Sequence, residues 1–354
     1  MLICVDIQKN YKFHKEREMK YLIDPNKTQF KANLHCHTNL SDGHWTPEQV
    51  KEEYKKRGYS VVAITDHERL VSHNDLTDNN ILFLTAYEVY IKNFPFDAVT
   101  DAQSHINLYS KTPENKMLYF TPNHTKYIPK EDWENVEYHY LVENREISVP
   151  FIQKLIDDAR KHGFLTCHNH PTWSFEDESI ADAYENCFAM EIYNHSACMV
   201  GHNEHNEHFY DYQLNKGRRM ALIAADDNHN SRAVDDPRCD SFGGVTYILA
   251  DKLDYASVID ALEKQNFYAS CGPQIFSLTI NNGILNVKTS PAKRICFVTN
   301  CHKRGIFVAT QGETLMQGEF TLSEKVKWVY VEVMDEVGNK AYSRAFFKDE
   351  LENA

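Results

Sequence analysis

The sequence predicts an α/β chain of strand–helix units followed by a small antiparallel β module, on three observations. Short apolar runs alternate with amphipathic helical segments over most of the chain, as in parallel βα units. Several of those runs finish on His, Asp or Glu. After Pro273 the helical spacing stops and alternating strand-like runs with hairpin signals take over. In a closed βα barrel the strand ends share one rim, so such residues would converge from distant points in the sequence.

Residues 1–30, with the charged run Lys15-Glu16-Arg17-Glu18 and a turn at Asp24-Pro25-Asn26, read as a lead-in. If Lys31 to His37 is extended, His35 and His37 share a face and Cys36 points the other way. Asp42 follows in the loop Ser41-Asp42-Gly43. Two imidazoles and a carboxylate suit a divalent ion such as Zn, Mn or Fe. Thr46-Pro47-Glu48 has the cap, proline and early acid of a helix start, and Gly58 ends that helix. The run Ser60 to Ile64 ends in Thr65-Asp66-His67, and Ile81 to Ala86 ends in Tyr87-Glu88.

The stretch from Asn93 to Val149 reads as an elaborated loop or lid containing His105, at a strand start or in a loop. The rhythm resumes with a helix from Pro150 to His162, whose apolar face is Ile152, Leu155, Ile156 and Ala159. Phe164 to Cys167 ends in His168-Asn169-His170-Pro171, and Ala189 to Tyr193 ends in Asn194-His195. A polar helix is expected from about Asn203 to Asn215, its His202, His205, His208, Glu204 and Glu207 forming a solvated face. Ala221 to Ala225 ends in Asp226-Asp227-Asn228-His229; a strand from Gly244 to Leu249 and a helix from Asp254 to Gln265 close the series.

Composition narrows the function classes. With 354 residues, 42% hydrophobic and 25% charged, the chain has room for one large α/β domain and a smaller module. A formal charge of −13 argues against gripping long nucleic acid through its phosphates. Small anionic substrates stay open, because bound metals supply local positive charge. Nine unpaired-looking cysteines fit a reducing, cytoplasmic compartment, and no apolar run is long enough to span a bilayer.

The ordered set His35-Cys36-His37-Thr38 with Ser41-Asp42-Gly43, Thr65-Asp66-His67, Glu88, His105, His170-Pro171 and Asp227-Asn228-His229 resembles the PHP (polymerase and histidinol phosphatase) superfamily of metal-dependent phosphoesterases. The resemblance covers roughly residues 30 to 275, and Tyr268 to Pro273 is similar to a segment near the end of the domain in members with an added β module. It implies a distorted seven-stranded βα barrel over 31–273, a sandwich-like β domain over 274–354, and three divalent ions (Mn, Fe or Zn) at the rim. The implied ligands are His35, His37, Asp42, His67, Glu88, His105, His170, Asp227 and His229, with Glu88 bridging two ions. Asp227 is preferred to Asp226 because the family spacing is Asp-x-His.

The expected chemistry is hydrolysis of a small phosphorylated metabolite or nucleotide by a metal-bridging hydroxide, with no protein nucleophile. Many relatives place a basic residue soon after the His-Pro, whereas Thr172-Trp173-Ser174 follows here, so phosphate contacts must come from elsewhere. Candidate substrate contacts are His168, His195, Arg232 and Arg238, the guanidinium groups because they pair bidentately with phosphate. The alternatives are a phosphodiesterase or exonuclease on short oligonucleotides, an amidohydrolase, which also opens with His-x-His, and a non-catalytic binding protein.

Overall fold

The computed structural model describes residues 19–352 except 94, 120–125, 136, 139–144, 178 and 303. The charged run of the expected lead-in, and part of the expected lid, lie outside the described residues.

One long mixed sheet organises the molecule. Its order is Ala221–Ala225, Ala189–Asn194, Phe164–His168, Ser104–Ser110, Leu82–Ile91, Val61–Ile64, Thr28–Asn33, Val245–Ala250, Phe267–Ser270, Lys340–Ser343, Trp328–Met334, Arg294–Thr299 and Gly305–Val308. Two runs of three strands are parallel, as the βα rhythm predicts: Thr28–Asn33 through Leu82–Ile91, and Phe164–His168 through Ala221–Ala225. Between them Ser104–Ser110 runs against both neighbours. The described residues between Ile91 and Ser104 contain no helix, and an antiparallel partner needs no crossover. The expected lid therefore contributes a fully buried sheet strand.

Past its last ladder bond, Thr28–Asn33 continues to an isolated parallel bridge between Cys36 and Asn228. Backbone hydrogen bonds from His37 N to Asn228 O (3.0 Å) and from Asp227 N to His35 O (2.9 Å) flank that bridge. The segments that follow Thr28–Asn33 and Ala221–Ala225 thus meet where their histidines and aspartate emerge.

Helices cover the outer faces. Pro47–Lys56 starts with a capping box in which Thr46 and Gln49 satisfy each other's backbone N–H groups. Val149–Lys161 buries the four apolar residues its spacing marks. The helix expected from Asn203 begins only at Glu207. Glu204 is instead fully buried, accepting from Trp173 N and Asn206 Nδ2, so it is no part of a solvated face.

After Pro273 the chain forms a second sheet, ordered Lys20–Ile23, Ile275–Asn281, Ile284–Ala292, Leu315–Thr321 and wholly antiparallel. The Asn282-Gly283 turn has both residues at positive φ (50° and 76°), which matches the strands' twist. This sheet shares a core with the far end of the long sheet, including Leu278, Leu285, Val287, Phe297 and Val331. Lys20–Ile23, expected in a lead-in, pairs with residues 278–280 and buries Ile23 in that core.

All eight described cysteines are free thiols, and no helix among the described residues is long and apolar enough to cross a membrane.

Candidate metal centre

The opening loop is shaped by a carboxylate that does not face the cluster. Asp66 accepts from Thr38 N (2.7 Å), Thr38 Oγ1 (2.7 Å) and Ser41 Oγ (2.7 Å), folding residues 38–41 back so that Asp42 faces His37. A Cβ on Gly43 would lie 2.5 Å from His37 O, so the fold-back is possible only for glycine. Asp226 has a similar scaffolding role, accepting from Tyr54 and from the backbone N–H groups of Phe242, Gly243 and Gly244. Asp227, held at φ 54°, turns the opposite way, towards the histidines. Cys36 packs with Val50 and Tyr54, away from them.

The nine expected ligands are brought together. Donor atoms lie within 4.8 Å of one another in four overlapping groups: His37–Asp42–His67–His229, His35–His37–Glu88–Asp227, His35–His170–Glu191 and His67–Glu88–His105. Glu88, fully buried in mid-strand, divides its oxygens. Oε1 lies 3.4, 3.1 and 3.4 Å from His35, His105 and His170, and Oε2 lies 3.4 and 3.0 Å from His37 and His67. Asp227 Oδ1 is 3.1 Å from His35 and 3.0 Å from His37. Asp42 sits 3.6 Å from each of His37, His67 and His229.

These spacings fit divalent ions. Ligands ~2.1 Å from an ion stand ~3.0 Å apart in an octahedron and ~3.4 Å apart in a tetrahedron. Hydrogen bonding does not account for the cluster on its own: His67 Nδ1 and Glu88 Oε2 are buried, 3.0 Å apart, and neither makes a hydrogen bond. The outer nitrogens are fixed by their partners. His35 Nδ1 donates to Glu191 (2.7 Å) and His229 Nδ1 to the carbonyl of Asp227 (2.9 Å), so each turns Nε2 inwards. His105 Nε2 meets Gln103 Oε1 at 3.2 Å, leaving Nδ1 towards Glu88.

Imidazoles and carboxylates of the cluster shift one another strongly. Burial pulls His35 down, but Asp227, Glu88 and Glu191 outweigh it and hold the imidazole well above its usual range. Burial likewise pulls His37 down, but Asp227 and Glu88 outweigh it and raise the imidazole to about 10. His170 climbs to about 9 against burial, through Glu88, Asp227 and Glu191. Burial drives His105 down to about 4 despite Glu88. Burial would raise Glu88 and Asp227, yet the surrounding imidazoles keep both carboxylates well below their usual range.

The four expected substrate contacts each have protein partners. His168 is fully buried, bonded to Glu176 (2.8 Å) and stacked 3.5 Å from the ring of Tyr184. His195 is held by Tyr193 OH (2.8 Å) and Cys239 O (3.2 Å). Arg232 and Arg238 are exposed and both lie on Asp236 (3.7 and 3.5 Å).

Three supporting residues escaped the sequence reading. Glu191 also accepts from His170 N (3.0 Å) and Asn194 Nδ2 (2.9 Å), and its signal was a lone charge in the apolar run Ala189 to Tyr193. Asn169 donates to Glu88 Oε1 (2.7 Å). Arg145 forms a buried bidentate pair with Glu68 (2.5 and 2.8 Å), directly behind His67.

A mixed sheet that gathers imidazoles and carboxylates at one end of its strands defines a metal-binding α/β protein. The family model described as PHP domain matches residues 33–231, over half of the chain, and the chain belongs to that family. No curated protein matches it. Among solved structures it is similar to a two-domain protein from Bacteroides vulgatus described as containing a predicted PHP-like metal-dependent phosphoesterase. That match has 14% identity and TM-score 0.45, covering 94% of this chain and 99% of the other. A protein from Bifidobacterium adolescentis described as a metal-dependent phosphoesterase matches at 14% identity and TM-score 0.37, covering 58% and 91%. An amidohydrolase from Chromobacterium violaceum, with bound sulfate and no metal, matches at 13% identity and TM-score 0.38, covering 59% and 93%.

Proposed function

We propose that the chain is a phosphatase of small phosphorylated metabolites or nucleotides, working with three adjacent divalent ions. The observation that carries this is Glu88, whose two oxygens face two different sets of imidazoles, as a carboxylate shared between ions would. The ligand sets that would hold them are His35, His37, Glu88 and Asp227; His67, Glu88 and His105; and His37, Asp42, His67 and His229, with His170 3.4 Å from Glu88 Oε1. Ions held there would supply Lewis acidity and water activated near neutral pH, the two needs of an inert phosphate ester.

The chain's own groups hold that arrangement. Glu191 fixes the tautomer and tilt of His35, Asn169 restrains Glu88, and Asn194 Nδ2 donates to Asp227 Oδ2 (3.1 Å). Substrate approaches from the side of Asp42 and His229, whose side chains are 36% and 30% exposed, since His35 and Glu88 are sealed. Attack by water activated on such ions would need no protein nucleophile and no covalent phosphoenzyme. The bridge at Cys36 and Asn228 supports a seven-stranded barrel closed between its first and last strands, with the β unit beyond Pro273 as an accessory domain.

The test is elemental analysis of purified protein, then phosphate release from nitrophenyl phosphate and its diester analogue. Turnover of the monoester, with solvent oxygen in the released phosphate, is expected. Preference for the diester would make the protein a phosphodiesterase, and solvent label in the alcohol would refute attack at phosphorus.

A further inference from the structure

We propose that Trp173 is a specificity-determining residue: its indole, standing against His105 and His170, receives a planar aromatic group carried by the phosphate ester. The inference rests on the phosphoesterase function proposed for the cluster and adds a substrate class to it: esters whose organic part presents an aromatic ring beside the phosphate.

The residue sits in a tight turn that continues directly from a ligand. His170 is at φ 21°, Ser174 N donates to His170 O (3.1 Å) and Glu176 N donates to Pro171 O (3.1 Å). Two buried side chains of a later loop pin that turn. Glu204 accepts from Trp173 N, and Asn206 Oδ1 accepts from Thr172 Oγ1 (2.7 Å). Neither hydrogen bond uses the indole, so the backbone is fixed and the ring is what the turn presents. That ring lies 4.9 Å from His170 and 5.6 Å from His105 between centres, steeply inclined to both (81° and 69°).

Both imidazoles are almost sealed, whereas Trp173 is half-buried, so the surface offered beyond His105 and His170 is the indole. A group esterified to a phosphate at the cluster would lie within reach of it. The turn itself, Pro171-Thr172-Trp173-Ser174-Phe175, carries no charge to pair with a charged substituent. A flat ring gains contact area there together with the offset or edge-on geometry that an indole favours; a saturated ring of the same size gains the area alone.

Phosphonates, which are not hydrolysed, separate planarity from size. In calorimetric titration of the zinc-loaded protein, phenylphosphonate should bind about fivefold more tightly than cyclohexylphosphonate. Trp173→Leu should bring the two within about twofold, and Trp173→Phe, which keeps a ring, should retain about threefold. Phenylphosphonate should also move the tryptophan emission of the wild type to shorter wavelength, as water leaves the indole, and should not move that of Trp173→Phe. This second reading stands whether or not Trp173→Leu keeps its metal. Equal wild-type affinities, a wild-type emission that does not move, or a preference that survives Trp173→Leu would overturn the assignment. If neither phosphonate nor inorganic phosphate binds, the phosphatase function falls and the specificity falls with it. A preference for the phenyl compound without phosphate release from any ester would count against the phosphatase function alone.

Discussion

Loading the metal-free protein with manganese or zinc should expel about three protons near pH 7.5. In the metal-free cluster His35 is held well above its usual range, His37 at about 10 and His170 at about 9, so all three are protonated at that pH. Glu88 and Asp227 are already ionised and contribute none. The Nε2 atoms that carry these protons towards Asp227 and Glu88 are the atoms an ion would take, so proton and metal compete directly. Each displaced proton is worth ~1.4 kcal/mol per pH unit, so total loading free energy should strengthen by ~4 kcal/mol per unit as pH rises between 7 and 8.5. The sign follows from linkage. The raised folded-state values stabilise the metal-free protein fully below pH 6.5, and that stability is lost as pH climbs through 9 to 10. Calorimetry in two buffers of different ionisation enthalpy counts the protons directly. Equal heats in both buffers would mean neutral imidazoles in the metal-free protein and would refute the electrostatic account of the cluster.

Other outcomes follow from single contacts. Glu88→Gln should leave the far-ultraviolet circular dichroism unchanged while lowering bound metal by at least one ion and phosphate release by about 10³-fold, since several kcal/mol of charge stabilisation go with one carboxylate. Glu191→Gln should weaken metal affinity by about 10- to 100-fold, measured against a competing chelator, through loss of the hold on His35. Gly43→Ala must displace the backbone of His37 and Thr38, so elemental analysis should show selective loss of the ion bound by Asp42, with a destabilisation of about 1–3 kcal/mol in urea. Arg145→Met strands a buried Glu68 carboxylate and should cost about 3–5 kcal/mol in the same assay.

What could be read from the sequence followed from local periodicity. His35 and His37 announce themselves because a strand repeats every two residues, and Cys36 between them packs on the other side. Glu88, Asp227 and His229 were visible as polar endings to apolar runs. Glu191 breaks that pattern: apolar Ile192 and Tyr193 follow it in sequence, and only its contacts with His35 and His170 reveal a role. His168 shows the opposite case, a strand-end histidine whose ring stacks on Tyr184. The reversed direction of Ser104–Ser110 depends on which strands it lies between, and Lys20–Ile23 is a strand because of residues 278–280. Pairings across such distances leave little trace in a local window.

That last pairing bears on how the chain is assembled. Lys20–Ile23 has no ladder until Ile275–Asn281 exists, and Phe267–Ser270 passes its free edge to Lys340–Ser343, so segments from both ends are interleaved. A ribosome would release nearly the whole polypeptide before either sheet could be finished. The ligands themselves run only from His35 to His229, so the strands that carry them are all synthesised before the pairings that finish the two sheets.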